Sequence, residues 1–301
     1  MLGFEGGGID VHADDFAITY HATQDIVRLC KKRLLDSISI IPNMSCFERC
    51  MTLYKREVEA GHMSPMVSVH LNFMEGHCLA PEDKIPNLVD ENGYFNLTWG
   101  KCLIYSFLPW KYLQIRQQFQ REISAQIARV REAMPESYIL RVDSHQHTHM
   151  IPIVFDALQK VIKDEELEVE FIRNSDEPLV PFLKHGSLYK TYSPVNIIKN
   201  LIIKILAISV RHRLKKMHLP DTYLWGLVMS GCMDEKRMMI LEKDMEKFSE
   251  KQGRTLEILF HPGSVMEDEI GEEFVKKGFV EFHLSKGRKI EYIAATKRKI
   301  G

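Results

Sequence analysis

The amino-acid sequence predicts an α/β fold built on a mainly parallel β-sheet, either open or closed into a barrel. Short apolar strand patterns alternate with helical patterns at least five times along the 301 residues, as they do where helices connect parallel strands. The length suits one large α/β domain or two small ones. Polar residues follow several of the strand patterns, which is where α/β proteins commonly place their sites.

In the first half of the chain, runs with the period of a strand are followed by stripes with the period of a helix. Residues 67–71 alternate between apolar and polar side chains, and His70 points away from the apolar face. Gly61 is expected to end the second helix. Strands are predicted at 9–12, 35–42 and 66–73, and helices after Phe16, at 46–61 and at 112–134.

Prolines mark the ends of several elements in the second half. Pro135 is expected to end the long helix, and Pro152 suits the first turn of the next one. Strands are predicted at 138–144, 168–173 and 255–260, and helices at 152–163, 196–210, 234–252, 272–278 and 286–299.

We expect a single catalytic domain over 1–301, with two inserted substrate loops at about 74–110 and 176–230. The first insertion is rich in aromatic residues, among them Trp99 and Trp110. This favours a substrate loop or, equally, a loop that packs against its own core. Prolines interrupt the second insertion, and we interpret its apolar helix as a buried or lid-like helical cap.

Charge and hydropathy exclude several classes of protein. Lys and Arg number 40 against 41 Asp and Glu, and the resulting net charge of −1 gives no field that attracts nucleic acid or a membrane. The most apolar run, 197–210, is interrupted by Lys199 and Lys204 and is shorter than the roughly 20 residues of a membrane span. We therefore expect no nucleic-acid partner and no membrane span.

The cysteines and the N-terminus favour a cytoplasmic location. The six cysteines are dispersed without a C-x2-C pair, so a thiolate zinc site is not expected. Reduced thiols are typical of the cytoplasm. Residues 1–8 are Gly-rich and lack the basic and apolar regions of a signal peptide.

The segment VDSHQHTHMIP at 142–152 carries three histidines at alternate positions. If the strand at 138–144 continues regularly, His145, His147 and His149 lie on one side of its C-terminal end. Imidazole is a common metal ligand and titrates near physiological pH. The segment therefore predicts chemistry, and a polar loop with solvated histidines is the simpler alternative.

Polar groups follow four of the predicted strands, at Asp14-Asp15, His70, 145–149 and His261. The C-terminal ends of parallel strands share one face of a sheet, so these groups can converge. Two histidines and one carboxylate can bind a divalent metal, and a second carboxylate can act as general base toward a water. Taken alone, an Asp-Asp pair is more often a turn or helix cap, and His70 more often belongs to the core or the surface.

Four motifs stand in order along the chain: ADDF at 13–16, VHL at 69–71, DSHQHTH at 143–149 and HPG at 261–263. Their order and spacing resemble those of the YdjC-like carbohydrate deacetylase family. That family includes chitooligosaccharide deacetylases and deacetylases that act on hopanoid-linked sugars. The resemblance covers roughly residues 9 to 265 and extends to PDTY at 220–223 and Gly226.

The resemblance implies a distorted (β/α) barrel, one divalent metal ion (Mg²⁺ or Zn²⁺) and hydrolysis of an N-acetyl group from an amino sugar or oligosaccharide. By the same resemblance, Asp15, His70 and His145 are the expected metal ligands. Asp14 is the expected general base.

Two positions depart from the family pattern. Ala17 stands where members usually have Gly, and His12 where they commonly have Asn. Gly tolerates a positive φ and close backbone approach, which Ala adopts only at a cost. We therefore expect Ala17 to affect the geometry of this loop but not the ligands. His12 can tune the site or fill space, and we favour filling.

Hydrolysis of an amide needs a base for the water and an acid for the leaving amine. We expect Asp14 to be the base. His261 is the first candidate for the acid or its support, and His147 or His149 the second. His147, His149 and Arg173 are also expected to bind substrate. Arg173 can contact hydroxyl groups or a phosphate, or it can form only a surface ion pair.

Other functions fit the same residues: a polysaccharide deacetylase, a metal-dependent phosphoesterase of a related barrel, or a catalytically silent sugar-binding protein. A phosphoesterase often uses a second metal and more carboxylates, of which the chain offers few beyond Asp143. Ala17 is the only hint of lost activity. The expected partner is an N-acetylated sugar, and a homodimer through the 74–110 and 176–230 loops is a further expectation.

Overall fold

The structure, a computed structural model, describes residues 7–298. Seven parallel strands form one sheet in the order β5-β4-β3-β2-β1-β7-β6. The sheet is curled into a half-barrel with helices around it, which confirms the predicted α/β class and the distorted (β/α) barrel. The strands are β1 (Ile9–Phe16), β2 (Ser37–Ile40), β3 (Met66–Leu71), β4 (Leu140–Ser144), β5 (Val169–Ile172), β6 (Tyr223–Trp225) and β7 (Leu256–Phe260).

Most of the helices lie where the sequence predicts them, but the short helices at 99–105 and 180–183 were not predicted, and one predicted helix is displaced, as described below. Residues 1–6 and 299–301, which include most of the Gly-rich N-terminus and the last residue of the predicted 286–299 helix, lie outside the described part of the chain. The helices are α1 (Tyr20–Lys31), α2 (Phe47–Glu59), α3 (Trp99–Tyr105), α4 (Pro109–Ala133), α5 (Pro152–Asp164), α6 (Val180–Leu183), α7 (Pro194–Lys216), α8 (Glu235–Lys251), α9 (Lys277–His283) and α10 (Lys286–Lys297).

The helix predicted at 272–278 is wrong, because α9 begins only at Lys277. Tertiary contacts hold the preceding segment in another conformation. The carboxylate of Glu273 accepts hydrogen bonds from the backbone N–H and the hydroxyl of Ser45, at 2.8 and 2.7 Å. Its carbonyl accepts another from the N–H of Gly76, at 3.0 Å. These long-range bonds override a locally helical sequence.

Strand β6 was not predicted, because its three residues are too few to show an alternating pattern. It pairs with β7 in parallel register, Tyr223 opposite Leu256 and Trp225 opposite Ile258. The segment 176–230 is therefore not only an inserted cap, since it also returns to the sheet and adds its edge strand.

The central strands are buried on both faces, as expected for a parallel sheet covered by helices. Every residue of β2, β4 and β7 is buried. Burying one Val, Leu, Ile or Phe side chain contributes roughly 1.5–3 kcal/mol relative to exposure, so this core holds the strand ends in place. Among the helices within residues 7–298, none is long and apolar enough to cross a membrane.

Part of the 74–110 segment packs against the core and part of it lines the central cavity, as its aromatic residues allow. Phe95 is buried and meets Phe73 edge-on with ring centroids 6.0 Å apart, so part of the segment packs on the core. Trp99 begins α3 and lines the central cavity. Trp110, by contrast, is 76% exposed.

Candidate metal and active site

A bulge in β1 lets two adjacent carboxylates point into the same cavity. The register of β1 with β2 shifts between Ala13 and Phe16, and Asp15 has a φ of 66°. Neighbouring side chains of a regular strand point in opposite directions, but a bulge re-aims them. As a result, Asp14 and Asp15 both line the cavity.

The structure brings Asp15, His70 and His145 together, although they come from three separate strands or strand ends. All three are buried, and one ligand atom from each lies within 4.8 Å of the others. His145 Nδ1 is 3.0 Å and His70 Nε2 is 3.5 Å from Asp15 Oδ1. Two imidazole nitrogens and a carboxylate oxygen that face one point form a donor set that a divalent metal accepts, with positions left for water or substrate.

Each of the two histidines is held from behind by a carboxylate, as metal-binding histidines commonly are. His70 Nδ1–H donates to Asp143 Oδ1 at 2.6 Å. His145 Nε2 lies 3.0 Å from Glu75 Oε1. The other nitrogen of each ring, His70 Nε2 and His145 Nδ1, therefore faces Asp15. These three residues fit a divalent metal ion.

Carboxylates make this point of the site favourable for positive charge. Burial lowers the pKa of a histidine, but Asp14 and Asp143 outweigh it and raise the pKa of His70 to about 10. Asp15 likewise raises the pKa of His145 to about 9, against the effect of burial. A potential that holds protons on these rings also favours a metal cation in their place, since metal binding displaces such protons.

Asp14 lies beside these three residues and is fixed from two sides. Arg173 Nη1 and Nη2 donate to its two oxygens at 3.0 and 2.9 Å, in the bidentate geometry of strong charged pairs. Burial raises the pKa of Asp14, but Arg173 and His70 outweigh it and hold that pKa well below its usual value. Asp14 is therefore ionised at neutral pH.

His12 also touches Asp14, with Nε2 3.1 Å from Oδ1. The same ring contacts the hydroxyls of Ser37 and Ser39, at 2.6 Å from Nδ1 and Nε2 respectively. Our interpretation of His12 as a space-filling residue is therefore wrong, because it is hydrogen-bonded to β2 and contacts the carboxylate that the resemblance marks as the base.

His261 lies on the cavity wall, directly after β7. Its Nε2 is 3.9 Å from Asp14 Oδ2. Its backbone N–H donates to Glu291 Oε2, and its Nδ1 lies 3.4 Å from that oxygen. Burial lowers the pKa of His261, but Glu291 outweighs it, so the pKa is raised above its usual value.

The alternation predicted for the three histidines is wrong. Strand β4 ends at Ser144, and the 3₁₀ segment that follows, His145–Met150, is kinked at Gln146 and His147, whose φ values of 54° and 56° are not helical. His145 consequently faces Asp15, whereas His147 lines another part of the cavity and its Nδ1 lies 2.9 Å from the Ser175 hydroxyl. Strand periodicity does not extend beyond the last residue of β4.

His149 and Arg173 lie behind the cavity wall. His149 Nδ1 contacts the Ser144 hydroxyl at 2.6 Å, and its Nε2–H donates to the carbonyl of Arg173 at 2.8 Å. Arg173 has no exposed surface and also donates to Glu257 at 2.8 Å. Its burial contradicts a surface ion pair, and this geometry gives no support to substrate contact by either residue.

Ala17 adopts the conformation that makes glycine usual at this position. Its φ is 69°, in the left-handed region that alanine enters only at a cost. The N–H of Ala17 donates to Thr23 Oγ1 at 3.0 Å, and its carbonyl accepts a bond from Cys46 Sγ at 3.1 Å. These bonds hold the loop after β1 in its bulged form.

Several supporting residues were not predicted. Arg288 Nη1 donates to Asp15 Oδ2 at 2.8 Å, and Glu291 accepts from His261. Both lie on α10, three residues apart and therefore on one face of the helix. A charged pair on the buried face of a helix is the signal that could have found them. Glu75 follows β3 in a loop without such periodicity.

A cavity of about 490 Å³ lies over these groups, within the range usual for small-molecule sites. Its floor is polar, and its other walls come mainly from the 74–110 segment, α7, α9 and the loop after β6. The apolar lining residues are Trp99, Ile202, Ile203, Leu227, Phe279 and Phe282.

Comparison with known proteins supports one family. A carbohydrate deacetylase of Clostridium beijerinckii is 25% identical over 163 residues, which cover 54% of this chain and 59% of that protein. One of Geobacillus stearothermophilus is 27% identical over 57% of this chain and 62% of its own length. One of Danio rerio is 25% identical over 73% and 65%. The matched region thus spans less than two thirds of each relative.

The fold has a solved counterpart. A protein of Enterococcus faecalis V583 described as a cellobiose-phosphate cleavage protein superimposes with a TM-score of 0.57 at 18% identity, over 94% of this chain and 93% of that one. The model of the family described as YdjC-like protein matches residues 9–299, almost the whole chain. The chain therefore belongs to the family of YdjC-like proteins.

Proposed function

We propose that the protein is a metal-dependent hydrolase that removes an N-acetyl group from an amino sugar or oligosaccharide. The observation that carries this proposal is the buried group Asp15, His70 and His145, of which Asp15 and His145 line the cavity, with the ionised Asp14 beside it. The family membership and the relatives described as carbohydrate deacetylases support the reaction class.

Asp15, His70 and His145 would hold one divalent ion, Mg²⁺ or Zn²⁺. When bound, the ion supplies Lewis-acid chemistry, lowering the pKa of a water and polarising the acetyl carbonyl. Asp143 and Glu75 would keep the two imidazole rings oriented toward the ion, through the hydrogen bonds at 2.6 and 3.0 Å described above.

Asp14 would act as the general base. It is ionised and lines the cavity, so it can take a proton from an attacking water. Arg173 holds both of its oxygens, which fixes its direction and lowers its pKa. Arg173 would therefore position the base rather than bind substrate.

His261 would protonate the leaving amine. Its raised pKa favours the protonated ring that such an acid needs, and its Nε2 lies 3.9 Å from Asp14 Oδ2. Glu291 would position the ring through the backbone N–H and Nδ1. His147 lines the cavity and is the remaining histidine of the 145–149 segment that can contact substrate.

A metal-dependent phosphoesterase is the second candidate. Glu75, His145 and His283 form another buried group whose ligand atoms lie within 4.8 Å of one another. Paired metal ions are common in phosphoesterases. The sequence offered few carboxylates for a second metal, and this second group of possible ligands therefore strengthens the phosphoesterase alternative. A cytoplasmic location, the single-domain organisation and a homodimer stay predictions.

The test is product release by metal-stripped protein to which Mg²⁺, Zn²⁺, Mn²⁺ or Co²⁺ is added back. The substrates are N-acetylglucosamine oligomers, plain and phosphorylated, and sugar phosphates. Metal-dependent release of acetate supports the proposal. Release of phosphate without acetate favours the phosphoesterase, and sugar binding without either product favours a silent binding protein.

A further inference from the structure

We propose that a surface beside the cavity docks onto an anionic lipid bilayer. Two stretches of chain, 104–113 and 195–208, form this surface, which we call the docking face. The first spans the end of α3 and the start of α4, and the second belongs to α7. The docking face is apolar, exposed and surrounded by basic residues. Its contact with a bilayer is independent of the reaction in the cavity.

Helix α7 is apolar on two opposite sides. Its inner side, with Ile203, Ala207 and Val210, is buried in the core. Its outer side carries five large apolar residues that are 47–70% exposed, namely Val195, Ile198, Leu201, Ile205 and Ile208. A helix that is apolar all round is normally buried, so the outer side of α7 needs a partner that residues 7–298 do not supply.

The corner between α3 and α4 exposes a second apolar group. Ile104, Phe107, Trp110 and Leu113 recur at every third position and are 60–76% exposed. Trp110, the most exposed of them, has the amphipathic ring that is enriched at the interface between a membrane and water. The corner thus adds an aromatic element to the aliphatic side of α7.

The two apolar groups lie side by side. Trp99, at the start of α3, and Ile202, on α7, line the same cavity. Farther along, the Tyr112 hydroxyl of α4 and the Arg213 guanidinium of α7 donate to the same carboxylate, that of Asp156. Nine large side chains that are each 47–76% exposed exceed the roughly 300–600 Å² of the largest apolar patch on a typical monomer. Such a patch marks an interaction site.

Charge complementarity indicates a bilayer as the partner. The segments 97–121 and 188–220, which contain the docking face, hold 11 of the 40 Lys and Arg residues and none of the 41 Asp and Glu residues. The net charge of −1 therefore conceals an uneven distribution. Lys216 lies three turns after Ile205, on the same side of α7. Exposed apolar side chains beside basic ones are typical of helices that lie on anionic membranes.

A second copy of the chain fits the docking face less well. A two-fold contact brings the same surface of both copies together, so the basic residues of one copy would meet those of the other, and like charges oppose association. Within residues 7–298, no helix is able to cross a membrane. The contact is therefore with the surface of the bilayer.

Cosedimentation with vesicles tests the proposal without any sugar substrate. The vesicles consist of phosphatidylcholine, with or without phosphatidylglycerol as the anionic lipid. We expect the protein to bind the anionic vesicles, and to bind about tenfold more weakly when the anionic lipid is omitted or salt is added. Equal binding to both kinds of vesicle, or binding to neither, would overturn the proposal.

Two double variants separate the apolar and basic contributions. Ile198→Gln with Ile205→Gln removes two exposed apolar side chains and introduces a better helix former, so α7 is kept. Lys215→Gln with Lys216→Gln removes two charges. We expect each pair to weaken binding to anionic vesicles about tenfold or more. Circular dichroism confirms that the variants fold.

Helix α8 offers matched controls away from the docking face. Met239 is 73% exposed, and Lys243 and Lys247 are also exposed. We expect Met239→Gln, and Lys243→Gln with Lys247→Gln, to bind vesicles as the natural protein does. Control variants that lose as much binding as the α7 variants would place the contact elsewhere and overturn the proposal.

Trp110 reports the contact directly. Of the three tryptophans in the chain, Trp225 is buried and Trp99 half-buried, whereas Trp110 is 76% exposed. We expect anionic vesicles to shift the fluorescence emission to shorter wavelength, and Trp110→Phe to bind but lose most of this shift. A shift that persists in Trp110→Phe contradicts the proposed orientation. A vesicle-free dimer that Ile198→Gln with Ile205→Gln dissociates, as measured by ultracentrifugation, would assign the docking face to a second copy and overturn the proposal.

Discussion

Arg173 donates to both carboxylate oxygens of Asp14, at 2.9 and 3.0 Å, and both side chains are buried. The same guanidinium lies 3.0 Å from Asp143 Oδ2 and 2.8 Å from Glu257. One cation therefore balances three carboxylates beneath the cavity floor, and the proposed base depends on it for both charge and direction.

Removing the charge of Arg173 should damage folding more than changing its shape. In Arg173→Met, three buried carboxylates lose their cation, and loss of one partner of a buried ion pair typically costs about 3–5 kcal/mol. Arg173→Lys keeps the charge but cannot make the bidentate contact. We expect it to retain most of the free energy of unfolding and to lose acetate-releasing activity by about tenfold or more. Urea unfolding and kcat together test this. Unchanged kcat in Arg173→Lys would contradict the positioning role.

The neutral ring of His149 should make stability depend on pH. Burial lowers the pKa of His149 to about 4, against about 6.5 in the unfolded chain. Between these values the unfolded state binds more protons, so the stabilising effect is complete above pH 6.5 and is lost as the pH falls toward 4. The full difference is on the order of 3 kcal/mol.

The matched variant is His149→Gln, whose amide can still donate to the carbonyl of Arg173. We expect the stability advantage of the natural protein over this variant to shrink as the pH is lowered from 7 to 4.5, when both are unfolded in urea at each pH. An advantage that stays constant over this range would show that His149 does not titrate as described.

Ala17 should tolerate glycine but not a β-branched residue. A non-glycine residue in the left-handed region costs roughly 1–3 kcal/mol, and Ala17→Gly relieves it. Against this, the substitution removes a buried methyl group, worth roughly 0.8 kcal/mol, and adds freedom to the unfolded chain. We expect these effects to cancel to within about 1 kcal/mol. Ala17→Val should lose more stability than Ala17→Gly, as measured by urea unfolding. A Val variant as stable as the natural protein would contradict the bulged loop.

Much of the fold could be predicted from local pattern, because apolar residues recur with a period of two residues in strands and of 3.6 residues in helices. Strand β6, with three residues, carries no period. The segment before α9 reads as helix but is held by the bonds of Glu273 to Ser45 and Gly76. Both errors arise where contacts distant in sequence decide the conformation.

The candidate site likewise contains residues that the local pattern could place and residues that it could not. The parallel sheet was sufficient to bring five predicted residues together, because each lies at or just after the C-terminal end of a strand: Asp14, Asp15, His70, His145 and His261. The positions of His147 and His149 depend on the kink at Gln146 and His147, two residues with positive φ in the segment after β4, which strand periodicity could not reveal. The burial of Arg173 depends on carboxylates from three other strands, and no pattern in the sequence around Arg173 could predict that burial.

In the proposed mechanism, one set of residues holds a metal and a separate residue, Asp14, takes the proton from water. The most direct test measures metal content and acetate release together in Asp14→Asn and His145→Ala, with N-acetylglucosamine oligomers as substrate. We expect Asp14→Asn to bind the metal as the natural protein does and to lose activity by about 10²–10⁴-fold, the usual contribution of a general base. We expect His145→Ala to lose both metal and activity. Near-full activity in Asp14→Asn, or full metal content in His145→Ala, would contradict the account.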